Sequence, residues 1–411
     1  MASTREFDFV LFGATGFTGK YVAEELDRIQ KEGKRSFKWA AAGRNEERVK
    51  EALEGLGIVG VTTISANIND EESLKEMCGR CSVLLDVVGP YVLYGEAVVK
   101  ACINQGTDYI DITGETYYIE SMVDKYDALA KEKGVYLVNC CGFDVIPNDI
   151  GSLVLQKGFN GQLAYIESYV STNGKGLNTG TWESAIRSIR SYKKLAELRK
   201  KASSSRPPLP LVKMPKRRTI FFSDVTQSWC GPFPGADRAC MLRSAGYRHK
   251  TDGLPMFQVK TYASIGSLWK TLMLIIGFMI IIPMSLTGFG AKLLLKYPGL
   301  FSAGLARKGG PSRSEVEKGT FTVVLQGSGY SPDNEEKVKP DAFLRVRVRG
   351  AEPGYIATSA MMVQSGFCLL NERSKLPKDG GFYTPGAAFG KTDIVQNLEQ
   401  TGKLKFTIEQ V

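Results

Sequence analysis

Three glycines spaced three apart, Gly13, Gly16 and Gly19, carry the clearest chemical signal in the chain. The apolar run Phe9, Val10, Leu11, Phe12 before them is too short for a helix and suits a buried parallel strand. After them, Tyr21, Val22, Leu26 and Ile29 fall on one helical face. A strand, a glycine turn and a helix together make an anion cradle. Gly13 permits the sharp turn, Gly16 lets the backbone approach a pyrophosphate, and Gly19 lets helix and sheet pack closely. Free N–H groups at the helix start then face the phosphates, with Thr15, Phe17 and Thr18 in the same loop. The G-x-x-G-x-x-G spacing differs from the commoner G-x-G-x-x-G, and a tight turn without a ligand is the ordinary alternative.

The strand ends that follow extend the site. Residues 37–42 read as a second strand running into Gly43-Arg44-Asn45. An NAD-binding unit places a carboxylate about 20 residues past the glycines to hold the ribose 2′-hydroxyl. Here the strand end offers Arg44, which suits the 2′-phosphate of NADP, so NADP is expected ahead of NAD. An arginine leading a surface helix is the competing account. Asn67, at the tip of a third strand over 61–66, is a candidate neighbour of the adenine. Gly89 and Pro90 follow a fourth strand over 82–88, where a cofactor would cross the sheet edge.

Hydride transfer asks the protein to orient the cofactor, polarise the substrate and exclude water. Candidate donors are Tyr91, Tyr94, Cys141 and Asp144, with Tyr91 and Asp144 foremost. Asp144 also reads as a helix N-cap ahead of Pro147, and Tyr91 as a ring packed under the nicotinamide. No serine–histidine or paired-carboxylate hydrolytic pattern stands out, and the single histidine, His249, lies in a polar, basic stretch.

Strand and helix patterns alternate to about Asn148, which predicts a doubly wound, Rossmann-type parallel sheet over 1–150. A helix is expected from Gly95. Over 151–380 the strands at 163–172, 256–265, 320–326 and 342–348 suggest a second α/β domain with a mixed or antiparallel sheet. The C-terminal segment 381–411 is expected to return to the first domain.

The 411 residues suffice for two cored domains. Cys78 and Cys81 form a CxxC, but no second pair and no nearby histidine complete a zinc site, so no metal is expected. The acidic and basic start, Arg5-Glu6 and Asp8, and the short apolar run after it argue against a signal peptide. A reduced, cytosol-facing setting is expected. The net charge of +10 is concentrated in residues 187–218, where twelve Lys and Arg face one acid, Glu197. Prolines 207, 208, 210 and 215 make that stretch read as an exposed basic linker. Such a patch could serve an anionic membrane, an acidic partner or nucleic acid; the absence of interleaved aromatics argues against nucleic acid.

Residues 271–291 contain no charged side chain except at their flanks, Lys270 and Lys292. As a helix they would span about 31 Å, but the dense apolar part, 272–286, spans only about 22 Å. Pro283 and several glycines interrupt the stretch. Membrane insertion without crossing, a buried core or partner helix, and a true span all remain open.

Seven motifs occur in order: GATGFTG at 13–19, AGR at 42–44, VGPY at 88–91, YGE at 94–96, DITGE at 111–115, GFDVIP at 142–147 and TPGAAF at 384–389. With them the chain resembles, almost end to end, the saccharopine dehydrogenase-like oxidoreductases of animals, and more distantly the mycobacterial trans-acting enoyl reductases. The resemblance implies a Rossmann domain, a second α/β domain, a nucleotide cofactor and association with membranes or lipid droplets. The bacterial relatives act in complex lipid and glycolipid synthesis. Likeness to true saccharopine dehydrogenases is confined mainly to fold and nucleotide site, so lysine catabolism does not follow.

The resulting expectation is an NADP-dependent oxidoreductase acting on a lipid-like or apolar small molecule at a membrane or lipid-droplet surface, with a homodimer possible. The alternative is a nucleotide-binding scaffold on lipid with little turnover.

Overall fold

The computed structural model describes residues 5–201, 208–334, 336–337 and 339–411. Arg206 and Pro207 of the expected linker lie outside them. Six strands, β1 (Phe7–Phe12), β2 (Trp39–Gly43), β3 (Thr62–Ser65), β4 (Cys81–Asp86), β5 (Asp108–Asp111) and β6 (Tyr136–Val138), form a parallel sheet. Their order is 6-5-4-1-2-3, so the chain reverses direction across the sheet beside β1. Strands this apolar need cover on both faces. Val10, Phe12 and Leu84 meet the helices Glu71–Gly79, Tyr91–Gln105 and Thr116–Lys133; Phe9, Leu11 and Leu85 meet the helix Phe17–Glu32 on the other side.

The second sheet contains β7 (Gln162–Thr172), β9 (Phe221–Ser223), β10 (Ser228–Pro232), β11 (Gln258–Gly266), β13 (Thr320–Tyr330), β14 (Ala342–Ala351) and β16 (Leu404–Gln410). Only β7 and β11 pair in parallel; every other neighbour is antiparallel, so the sheet is mixed. The helices Ile146–Gly158 and Asp237–Asp252 pack on its inner face, filling the core with Ile150, Leu155, Met241, Phe257 and Leu325. Two short strands, β8 (Leu177–Asn178) and β12 (Ala306–Arg307), pair beside it.

Three expectations need correction. The segment 381–411 is shared between the sheets: β15 (Gly381–Tyr383) adds to β6 of the first, but β16 adds to β14 of the second. The helix Thr358–Asn371 belongs with the first sheet, because Phe367 meets Phe9 and Phe37 edge to face at 5.1 and 5.2 Å. And residues 208–217, exposed as expected, are tied to the second sheet as a strap and do not hang free. Gln258 Nε2 donates to the carbonyls of Pro210 and Val212, Lys260 Nζ donates to that of Pro215, and Val212 and Met214 cover Ala164, Tyr165 and Tyr330. Prolines suit this place, since they offer carbonyls and bring no N–H needing a partner.

The basic segment is accordingly not one patch. Arg187 pairs with Glu183, Arg199 with Glu120 of the first unit, and Arg217 with the buried Glu167 of β7.

The apolar stretch folds as the helix Leu268–Leu286 followed by Gly288–Lys296. Its two buried residues are Thr271 and Ser285, whose hydroxyls donate to the carbonyls of Ser267 and Ile281. Trp269, Leu272, Met273, Ile276, Met279, Ile280, Ile282 and Leu286 are exposed, followed by Phe289 at 76%. The usual amphipathic order is largely inverted: Thr271 and Ser285 face the protein together with Ile281 and Met284, while most of the large apolar side chains face outward.

Candidate nucleotide and reaction site

The glycine loop leaves β1 and turns at Gly13, whose φ of +98° is costly for any other residue. A Cβ on Gly13 would stand 2.8 Å from Val88 Cγ2, and one on Gly19 would stand 2.2 Å from the Gly13 carbonyl oxygen. The helix Phe17–Glu32 therefore starts hard against the loop. Its N-cap, Gly16, has no side chain to satisfy the first turn, and that turn carries no acid. The first-turn N–H groups of Phe17, Thr18 and Gly19 find no acceptor among the described residues. Gly16 is exposed, and a methyl there would fill the space over this helix start. A capless, acid-free helix terminus with an open glycine fits a pyrophosphate. Thr15, exposed, and Thr18, half-buried, make no side-chain hydrogen bond among the described residues. The Phe17 ring turns away, 4.5 Å from Tyr355, and so joins the loop to the second unit.

Arg44 is exposed at the end of β2 and pairs with no carboxylate among the described residues, while its neighbour Asn45 caps the next helix. Its guanidinium is free to hold a 2′-phosphate. Arg44→Asp should lower NADPH affinity by at least about tenfold, since a hydrogen bond to a charged group contributes roughly 1.5–3 kcal/mol, and should spare or improve NADH. Equal affinities of the unaltered protein for the two nucleotides, measured by titration, would count against this role. Asn67 spends its carbonyl on the N–H of Asn69, leaving only its amide N–H groups for a ligand.

Gly89 is exposed and Pro90 buried, joined by a cis peptide. Beyond them the structure departs from expectation: the helix starts at Tyr91, not Gly95. The reason lies 24 residues on. The Glu115 carboxylate accepts from the N–H groups of Tyr91 (3.0 Å) and Val92 (2.8 Å), capping the helix from a distance. Ser184, from the helix Thr179–Arg190, donates to the same carboxylate at 2.7 Å. This places Tyr91 inward. Its ring is 6% exposed and its hydroxyl donates to the Asp86 carbonyl at 3.0 Å, so its proton is spent within the protein and not turned to solvent as the expected role requires. Tyr94, one turn on, is half-buried, and its hydroxyl has no partner among the described residues. Cys141 is also withdrawn: its thiol is fully buried over the Val138 carbonyl, and burial raises its pKa well above the usual range.

Asp144 is the one exposed residue of the four, and its carboxylate has no hydrogen-bond partner among the described residues. Its carboxylate presses against Gly114, where a Cβ would come within 2.4 Å of Oδ2. Although accessible, it is crowded by protein, and loss of hydration lifts its pKa to about 6. It lies in the loop after β6, at the edge on which an open parallel sheet binds its ligands.

The carboxylates beneath this edge hold it in shape. Asp86 and Asp111 are buried at the ends of β4 and β5, bridged by the Tyr109 hydroxyl at 3.1 and 3.0 Å. Burial raises them to about 8 and about 6. Asp111 also accepts from the N–H groups of Thr113 and Cys140, tying the loops after β5 and β6 together. Asn148 bonds Asp237 and Ser168, while Asp149 accepts from Ser244 and from the Gly386 N–H. The 142–147 and 384–389 motifs thereby meet around Asp149. Glu115, Asp86 and Asp237 escape a sequence reading because their partners are far away in the chain.

The helix Thr179–Arg190 overhangs the crevice. Ser184 faces Glu115 and Gly89, while Ile186 and Trp182 pack against Ile281, Met284 and Leu294 of the apolar helices. The helix Thr179–Arg190 thus stands between these strand ends and the apolar helix Leu268–Leu286.

Residues 9–138 match the family described as the saccharopine dehydrogenase NADP binding domain. The chain is 37% identical to a saccharopine dehydrogenase-like oxidoreductase of Rattus norvegicus, over 98% of this chain and 97% of the relative. It is 34% identical to a lipid droplet localized protein of Caenorhabditis elegans, over 96% and 97%. Among solved structures, apo saccharopine dehydrogenase (L-Glu forming) from Saccharomyces cerevisiae aligns over 98% of this chain and 100% of its own, with a TM-score of 0.55 and 13% identity, a likeness of fold.

Proposed function

Since this chain belongs to the saccharopine dehydrogenase-like oxidoreductase family and carries its NADP-binding domain, we propose that it is an NADP-dependent oxidoreductase acting on a lipid-like or otherwise apolar substrate at a membrane or lipid-droplet surface. The observation that carries the reading is the inverted helix Leu268–Leu286, one helix away from the crevice. A soluble monomer rarely exposes so large a contiguous apolar face, and here it lies where a substrate leaving an acyl phase would arrive. The name of the worm relative points the same way.

NADP supplies the hydride chemistry when bound. The chain's own part is to fix the pyrophosphate at the helix start, the 2′-phosphate at Arg44, and a proton at Asp144. The Asp144 carboxyl sits near its own pKa of about 6, so it can give a proton to a carbonyl being reduced or take one from an alcohol being oxidised. The sign follows: if Asp144 is the acid, reduction slows as pH rises through about 6, and oxidation accelerates over the same window. Asp144→Asn should lose turnover about a hundredfold or more while still binding NADPH. A fully active Asp144→Asn variant would remove the residue from the reaction.

A nucleotide-binding scaffold with little turnover is the second reading, favoured by the withdrawal of Tyr91 and Cys141 into the core. NADPH consumption in the presence of lipid extracts separates the two.

A further inference from the structure

We infer that the surface on which the apolar helix docks is an anionic phospholipid layer, selected by lysines at the rim of that helix. The inference rests on the lipid-surface reading above and adds the chemistry of the headgroup. Residues 253–314 contain no Asp or Glu, yet carry Lys260, Lys270, Lys292, Lys296, Arg307, Lys308 and Arg313. Several of these are engaged elsewhere: Lys260 with the Pro215 carbonyl, Arg307 with Glu315, and Arg313 with Glu24 and Glu317.

The three that remain nearest the apolar surface are exposed and pair with no carboxylate among the described residues. Lys270 follows the exposed Trp269 at one end of the helix, and Lys292 and Lys296 lie between Phe289 and Leu300, each about three-quarters exposed, at the other. Arg190 adds a fourth cation at the second end, donating to the Thr287 carbonyl. The large apolar side chains thus have cations at both ends and no acid between them. A bilayer or monolayer surface has this chemistry in mirror image, acyl chains below and phosphates above.

The same arrangement argues against a second copy of this chain as the occupant. A two-fold interface sets a patch against itself, which would bring lysines onto lysines with no carboxylate between them. Nucleic acid would meet the charges but leave Trp269, Phe289 and Leu300 unmatched. The 187–218 segment, basic as it is, contributes less here, because three of its arginines are held by Glu183, Glu120 and Glu167.

The test is co-sedimentation of the full chain with phosphatidylcholine vesicles, with and without phosphatidylserine. Each cation near an anionic surface multiplies affinity by about fivefold, so phosphatidylserine should tighten binding by on the order of a hundredfold at low salt, and added salt should erode the gain. The triple variant Lys270→Gln, Lys292→Gln, Lys296→Gln should keep at most the roughly fivefold preference left by Arg190, with NADPH affinity unchanged. Equal binding of the unaltered protein to both vesicles overturns the inference and leaves the lipid-surface reading standing. A preference for phosphatidylserine that survives undiminished in the triple variant overturns the assignment to these lysines. Protein that binds neither vesicle and sediments as a dimer overturns both the inference and the reading beneath it.

Discussion

Ile276→Glu together with Ile280→Glu should abolish flotation of this protein with liposomes or lipid droplets. Both side chains are exposed, at 42% and 51%, and one helical turn apart, so they share the outward face of Leu268–Leu286. A charge placed at membrane depth costs on the order of 2–3 kcal/mol. Two of them should lower lipid affinity by more than about a hundredfold. In water both positions already face solvent, so the melting temperature and the NADPH titration should not move. The arrangement sharpens the test, since Ile281 and Met284 hold the helix to Ile186, Ala291 and Leu294 through the opposite face. Unaltered protein that stays off lipid while forming dimers would show that the apolar face meets a second copy instead.

Gly19→Val should eliminate measurable NADPH binding. The new Cβ would stand 2.2 Å from the Gly13 carbonyl oxygen, 2.9 Å from its carbon and 3.0 Å from Ala14 Cα, all of them backbone atoms that cannot swing aside. The helix Phe17–Glu32 would have to retreat from the loop, and the first-turn N–H groups would leave the phosphate position. Overpacking of this kind costs roughly 1–3 kcal/mol of stability, so a lower melting point is expected as well. Gly16→Ala separates the two effects. Its Cβ would meet only the Gly13 carbonyl oxygen, at 3.1 Å, while intruding on the phosphate space. It should weaken NADPH and leave the melting point within about 1 kcal/mol of stability. If Gly19→Val binds NADPH normally, the loop is not the phosphate cradle.

The parts of this site that could be read from sequence are those where neighbours in the chain are also neighbours in space. The glycine loop, its flanking strand and helix, and Arg44 at the next strand end all lie within one βαβ unit. Hydrophobic period and glycine spacing report them directly. Tyr91 shows where such reading stops. It follows a strand at the correct edge, but its direction is decided by Glu115, whose carboxylate starts the helix four residues earlier than Gly95 suggests. The strap at 208–217 looks like a linker because its composition is that of one; its reason for lying on the sheet is a set of side chains, Gln258, Lys260 and Tyr330, far away in sequence. The apolar character of 271–291 is plain in the chain, but the direction of its faces is not. Thr271 and Ser285 point inward because their hydroxyls can bond to their own helix carbonyls and need nothing further from the protein.

The sharing of residues 381–411 between the sheets bears on how the chain is made. During synthesis β6 and β14 each emerge before the strand that covers them, since β15 and β16 lie at 381–383 and 404–410. The first sheet lacks its last strand until residue 383 is free of the ribosome and the second until residue 410, so before then both β6 and β14 present unpaired backbone groups at once. Neither unit can be released as a finished domain while the other is still being translated. A ribosome stalled near residue 380 should therefore hold a nascent chain that recruits chaperones and yields to protease at both sheets together, whereas the released chain should resist.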